Sequence, residues 1–165
     1  MLRHSTMDTP AGPFTVLVSE AGAVRAAGFT TDAPALLRLI HPRLTEPLEP
    51  GGTPAHVHAA VRAYLGGDLT ALDSVPIEQR TSGDFMRHAW EVMREIKPGA
   101  PVTYSHFAAL SGRPAAIRAA AGACARNAVA LFLPCHRVLR TDGSLGGYRW
   151  GLPVKTWLLE HEAAA

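Results

Sequence analysis

The sequence predicts a two-domain chain: an α/β domain over residues 1–80, built as a small antiparallel sheet with helices, then a mostly helical domain over 81–165. Three observations lead there. Short β-rich runs alternate with Pro/Gly punctuation in the first half, whereas apolar residues recur at helical spacing in the second. The net charge of +2 is also unevenly divided. Residues 1–80 carry 6 Lys/Arg against 8 Asp/Glu, and residues 81–165 carry 10 against 6. A basic half beside an acidic one points to a polyanionic partner for the basic half.

In the first half, Phe14 to Val18 is β-rich and follows the turn residues Pro10-Ala11-Gly12-Pro13. Ala23 to Phe29 is its expected hairpin partner, and Ala33 to Ile40 reads as a short helix. Residues 42–54, rich in Pro and Gly, read as a loop. Val57 to Leu65 reads as a helix stopped by Gly66-Gly67, and a last strand is expected near Ala71 to Ile77.

In the second half, Phe85, Ala89, Val92, Met93 and Ile96 mark a helix that Pro98-Gly99 stops. Thr103 or Ser105 can cap a short helix through Leu110, and Ser111-Gly112-Arg113 is a tight turn. Pro114 suits a first helical position, and the next helix runs to about Ala125. Short helix, glycine turn, second helix is the grammar of a helix-turn-helix. That second helix is almost wholly Ala and Gly, interrupted by Ile117, Arg118 and Cys124. Tight packing on a neighbouring helix explains such a composition. So does a smooth face pressed into a minor groove with Arg118 projecting. After Pro153 a last helix is expected, with Lys155, Leu158 and Glu162 on one face and Val154, Trp157, Leu158 and His161 as its core stripe.

Several classes are excluded. A hydrophobic content of 47% and a charged fraction of 18% are those of a globular chain, not a disordered one. No run approaches the roughly 18 apolar residues of a membrane span, and the N-terminal MLRHSTMDTPAG lacks a signal-peptide core. Two cysteines, Cys124 and Cys135, are too few for a disulfide framework and suit a reducing cytoplasm.

The chemistry concentrates in LPCHRV, where Cys135 stands directly before His136. Adjacent residues of a regular strand face opposite ways, so the pair needs an irregular turn, which Pro134 favours. An imidazole reaching the thiol through a water gains basicity from a carboxylate behind it, and Glu162 is a candidate. Taken singly, His136 reads better as a structural imidazole and Glu162 as a solvated charge. Cys124 has no partner in sequence and reads as packing.

In combination, LPCHRV, the preceding TYSHFAALSGRPAAIRAAAGACARN and the following GGYRWGLPVKTWLLEHE resemble the O6-alkylguanine-DNA alkyltransferases. The resemblance covers about Phe85 to Glu162, and extends more loosely to the first 80 residues through TPAGPFTVLVSEAGAV. YRWG and ACARN look most like the C-terminal domain of the bacterial adaptive-response protein. The resemblance implies a winged helix-turn-helix domain and single-turnover transfer of an alkyl group from guanine O6, and from thymine O4, to Cys135. His136 and Glu162 would then take the thiol proton, Asn127 would hold the turn, and Tyr104 would donate a proton to the flipped base. Cys135, Val138, Arg149, Trp150 and Lys155 would surround that base. Arg118, Ala119, Gly122, Arg126 and Thr103 would meet DNA. The implied partner is double-stranded DNA carrying O6-alkylguanine, bound by a monomer without cofactor or membrane.

The chain departs from the family pattern at four places. Ala128 follows Asn127 where many members have proline. Trp150 replaces a common glycine, which narrows the space for bulky adducts. Ile117 replaces a smaller residue. No cysteine precedes Cys124, so the structural zinc of some relatives is not expected. A non-catalytic binder of alkylated DNA is the alternative, but such proteins resemble this family with tryptophan in place of Cys135. A Cys-His hydrolase usually keeps its histidine far along the chain.

Overall fold

The computed structural model describes residues 1–164. The chain divides into two compact units: Met1–Arg80 together with Ala128–Phe132, and Thr81–Asn127 together with the chain from Leu133 on.

The first unit is organised on a four-stranded sheet of β1 (Leu2–Thr9), β2 (Gly12–Val18), β3 (Val24–Gly28) and β4 (Leu48–Pro50), in the order β3-β2-β1-β4. Thr9 closes the β1–β2 turn: its hydroxyl donates to the Gly12 carbonyl at 2.6 Å and accepts the Ala11 amide. β2 is central, and Phe14 through Val18 are all buried, which explains its unbroken β-branched and aromatic run. Helix α1 (Ala33–Leu37) is capped by the Asp32 side chain, and α2 (Ala55–Leu65) buries Val57, Val61 and Tyr64.

The sheet departs from expectation in three ways. It is mixed, because β4 runs parallel to β1. Two of its strands carry no strand pattern: β1 is the polar run LRHSTMDT, and β4 lies in the Pro/Gly-rich stretch expected as loop. The strand expected near Ala71 to Ile77 is a 3-10 turn over Ala71–Ser74, where the Ser74 hydroxyl donates to the Ala71 carbonyl. Only Ile77 bridges Val24 of β3. Asp, Ser and Pro in that stretch favour local turn bonds over a ladder.

The second unit contains α3 (Asp84–Arg94), β5 (Val102–Thr103), α4 (Tyr104–Leu110), α5 (Ile117–Ala125), β6 (Val138–Leu139) and α6 (Leu152–Ala163). β5 and β6 pair in parallel. The Trp90 indole N–H donates to the Ala123 carbonyl at 3.0 Å, tying α3 to α5. α5 starts three residues later than Pro114 suggested, because the Ala116 amide donates to the Arg113 carbonyl and keeps Pro114 in the turn. On α6 the fully buried face is Lys155, Leu158 and Glu162, while Val154, Trp157 and His161 are only half-buried. The expected apolar stripe is thus displaced by a largely charged one. No helix among the described residues is long and apolar enough to cross a membrane.

The segment Ala128–Phe132 belongs to the first unit. It lies along the free edge of β3: the Ala27 amide donates to the Ala128 carbonyl at 2.9 Å, and the Ala130 amide donates to the Ala27 carbonyl at 3.1 Å. Leu131 in this segment has φ of 74°, the only positive φ outside glycine among the described residues, yet it is 2% exposed. A left-handed conformation costs an L residue about 1–2 kcal/mol, and only burial of the Leu131 side chain offsets that here. Leu131→Gly should therefore be more stable than Leu131→Ala by about 1 kcal/mol in denaturant melts, reversing the usual order of the two. Equal stabilities would show that the backbone at Leu131 is not strained.

Candidate active site

Pro134 directs the chain into a 3-10 turn, Cys135–Arg137, that runs straight into β6. The turn breaks the alternation of a strand. His136 and Arg137 both point inward and are 0% and 5% exposed, while Cys135 is half-buried.

The inward pair meets Glu162 from the last turn of α6. The His136 Nε2 lies 2.8 Å from Glu162 Oε2, and the Arg137 guanidinium donates through Nε to Oε1 at 2.8 Å and through Nη2 to Oε2 at 2.9 Å. Arg137 Nη1 donates to the Ile96 carbonyl at 2.7 Å. Burial alone would raise the Glu162 carboxyl, but the hydrogen bonds from His136 and Arg137 outweigh it and bring the pKa down to about 2. An ionised Glu162 only accepts, so Nε2 of His136 must carry the proton. The other ring nitrogen, Nδ1, is then the basic one, and it is buried without a hydrogen-bond partner. Burial also pushes the imidazole pKa down, against the pull of Glu162, so the ring is held in its neutral, proton-accepting form.

Asn127 spans the neck of the chain's excursion: its Nδ2 donates to the Leu133 carbonyl at 2.8 Å. Burial raises the Cys135 thiol, opposed by a hydrogen bond from the Asn127 side chain and by the charges of Lys155 and Arg149. The resting group is a thiol. Tyr104, first residue of α4, has its pKa raised to about 12 by burial and then by Cys124 and Cys135, so it stays a proton donor. Cys124 thus lies within electrostatic reach of Tyr104 and Cys135. Its own thiol is pushed up by burial and remains inert.

Lys155 is completely buried, and its ammonium donates to the carbonyls of Val138 (3.0 Å), Leu145 and Gly147 (3.3 Å). Burial lowers its pKa, but three carbonyl acceptors use every proton of the charged form. Lys155 thereby staples β6 to the 145–147 loop. Gly146 in that loop has φ of 70°, and a Cβ there would stand 3.2 Å from Arg140 and 3.7 Å from the Tyr104 ring. Arg149 is exposed, donates to the Ala125 carbonyl and closes the loop against α5. Trp150 beside it is half-buried.

α5 presents Arg118, Ala119 and Arg126 to solvent, with Gly122 half-exposed between them. Thr103 is engaged as the N-cap of α4, accepting the His106 amide at 3.2 Å.

Residues 84–164 match the family model for the 6-O-methylguanine DNA methyltransferase, DNA binding domain. The methylated-DNA–protein-cysteine methyltransferase of Shigella flexneri is 34% identical over 98% of this chain and 95% of its own length. The chain belongs to the methylated-DNA–protein-cysteine methyltransferase family. The bifunctional transcriptional activator/DNA repair enzyme Ada of Escherichia coli is 44% identical over 54% of this chain, a match that spans only 25% of Ada. Among solved structures, Mycobacterium tuberculosis OGT in complex with DNA is similar over 98% of this chain and 93% of its own, with TM-score 0.80 and 28% identity.

Within this methyltransferase fold, Cys135, His136, Glu162, Asn127, Tyr104, Val138 and Lys155 come together as one cluster. Arg137 is the member that sequence reasoning misses. The only available signal is its place in the same inward-facing turn as His136. Because Arg137 and Glu162 are sealed from solvent together, breaking the pair is a test. Glu162→Gln should cost about 3–5 kcal/mol, because Arg137 is left buried without a counter-charge. Glu162 has a folded pKa of about 2 against an ordinary 4.5. Its ionic stabilisation is therefore full above pH 4.5 and lost as pH falls through the interval to 2. The gap in Tm between wild type and variant should narrow across that interval. A constant gap would mean that the carboxylate is not ionised in the fold.

Proposed function

We propose that this chain repairs double-stranded DNA by moving an alkyl group from guanine O6, and from thymine O4, to Sγ of Cys135, once per molecule, as a monomer and without a cofactor. The observation that carries the proposal is the orientation of His136. With Nε2–H committed to Glu162, the ring stays neutral and its Nδ1 is uncommitted, on the residue that directly follows a cysteine resting as a thiol.

The steps follow from that arrangement. The thiol proton passes to His136 Nδ1 through a bridging water, the S–C bond forms as the C–O6 bond breaks, and the departing base takes a proton from Tyr104. The Asn127 hydrogen bond and the Lys155 and Arg149 charges favour the thiolate as it develops. A thioether does not return to a thiol, so the protein is consumed. A base inside a duplex is out of reach of any such thiol, which requires the nucleotide to be flipped out.

Support for the DNA-binding face comes from Gly122. Glycine inside a helix costs about 1 kcal/mol relative to alanine, yet a Cβ at this position would meet nothing within 4 Å inside the protein. The open space over Gly122 fits a close approach by a partner. We assign Arg118, Ala119, Gly122 and Arg126 to a face that lies in the minor groove, with Arg118 filling the gap left by the flipped base and Thr103 at the edge of the contact. Val138, Arg149, Trp150 and Lys155 border the base.

Intact-mass analysis after mixing with a duplex containing O6-methylguanine should show one added methyl, mapped to the Cys135 peptide. Tight binding with no modification would replace this function with that of a non-catalytic reader of damage, and a methyl on Cys124 would displace the assigned acceptor.

The groove face has a separate test with two opposite signs. Gly122→Ala should raise Tm while weakening duplex binding. Arg118→Ala should slow transfer from the duplex far more than from the free base, since unstacking costs a few kcal/mol only in the duplex. If Gly122→Ala leaves DNA affinity unchanged, the face of α5 does not meet DNA.

A further inference from the structure

Gln79 lies outside the cluster around Cys135, and its hydrogen bonding is incomplete. Its Oε1 accepts the backbone amide of Ala128, whereas its Nε2 is buried without a hydrogen-bond partner. An unpaired buried donor is unfavourable, so the residue is not accounted for by its own satisfaction. What it supplies is one acceptor, directed at one amide.

The surroundings show why that amide matters. Two short pieces of chain lie on the free edge of β3. One is pinned at Val24, whose amide donates to the Pro76 carbonyl at 2.9 Å and whose carbonyl accepts the Glu78 amide at 2.9 Å. The other is pinned at Ala27 by the Ala128 carbonyl and the Ala130 amide. Gln79 is the residue directly after the first piece, and its side chain crosses to the first residue of the second. Ala128 is 4% exposed, so its amide has no recourse to solvent. The second piece, Ala128–Phe132, is the covalent lead from Asn127 to Leu133, Pro134 and Cys135.

We propose that Gln79 is a positioning residue for the nucleophile: its side-chain carbonyl fixes the start of the segment whose far end delivers Cys135. The assignment rests on Cys135 being the alkyl acceptor. Gln79 touches no reacting atom and acts only through the Ala128 backbone.

The test uses the full chain and four proteins: wild type, Gln79→Leu, Gln79→Glu, and Gln79→Leu combined with Ala128→Pro. Leucine keeps the bulk and removes the acceptor. Glutamate keeps an acceptor and removes the unpaired donor. Proline at 128 removes the amide that needs a partner. The measurements are hydrogen exchange at the Ala128 amide and single-turnover transfer to Cys135 from both duplex and free O6-methylguanine. Gln79→Leu should deprotect Ala128 and slow transfer by about tenfold on both substrates, within the roughly hundredfold that a small misplacement of a reacting group produces. Gln79→Glu should keep protection and rate, and adding Ala128→Pro to the leucine variant should restore the rate.

A merely structural Gln79 would lose stability in the leucine variant without a loss of rate in the molecules that remain folded, and that result overturns the assignment. So does a slowing confined to duplex DNA, or a rate that proline fails to restore. A wild-type chain that transfers nothing sinks the proposed function itself. A wild type that transfers while Gln79→Leu matches it sinks only the role of Gln79.

Discussion

A carboxylate sealed inside a small domain must be paired, and the pairing of Glu162 fixes most of what surrounds it. Taking an ion of this size out of water costs several kcal/mol even after relaxation, and a single contact does not recover that. Glu162 recovers it through a two-pronged contact with Arg137 and a third bond from His136. The consequences run outward. Arg137 is drawn inward, its remaining nitrogen reaches the end of the α3 region at Ile96, and the turn carrying both residues is locked. The imidazole is left with one orientation and one tautomer. The chemistry of the cluster is therefore a by-product of satisfying one buried charge.

Lys155, two turns earlier on the same face of α6, is the reciprocal case. No carboxylate among the described residues pairs with it, and it instead uses three backbone carbonyls, converting a helix that reads as apolar into a polar scaffold for β6 and the 145–147 loop. Between the two charges the thiols stay neutral, because burial outweighs the Asn127 bond and the cationic neighbours at Cys135. Neutral thiol, neutral imidazole and protonated Tyr104 form a set in which none of the three groups carries a charge at rest. Such a resting state shields a cysteine from adventitious alkylation, since the thiolate is the reactive form.

How much of this is legible in sequence depends on whether a feature is local. The helix-turn-helix, the Thr103 cap, the start of α6 at Pro153 and the spacing of Lys155, Leu158 and Glu162 are local, and they are readable from turn chemistry and periodicity. β1 and β4 are not, because LRHSTMDT and LEP acquire strand structure only from the partners they pair with. The α6 core stripe is misplaced by sequence reasoning because hydrophobicity ranks Trp157 above Lys155, while the satisfied charges are the ones buried. Arg137 and Gln79 are invisible for the same reason: each is defined by an atom 25 or 49 residues away along the chain. A pattern within a window of a dozen residues has no access to either.

The positions that violate local rules are informative as a group. Gly122 weakens a helix, Leu131 holds a left-handed backbone, Gln79 leaves a donor unpaired and His136 leaves a ring nitrogen unpaired. Burial of Leu131 and the Glu162 bond to His136 offset part of this, but a sequence selected only to fold has more favourable choices at each of the four. Three of them lie in, or hydrogen-bond to, the stretch from Ala128 to His136, and the fourth faces solvent on α5. Three of these choices fall along the path to one cysteine, where the proposed chemistry needs a positioned group rather than the most stable packing. The stability lost there is carried by the regions that obey the rules: the buried β2 strand, the α3–α5 contact through Trp90, and the paired charge at Glu162.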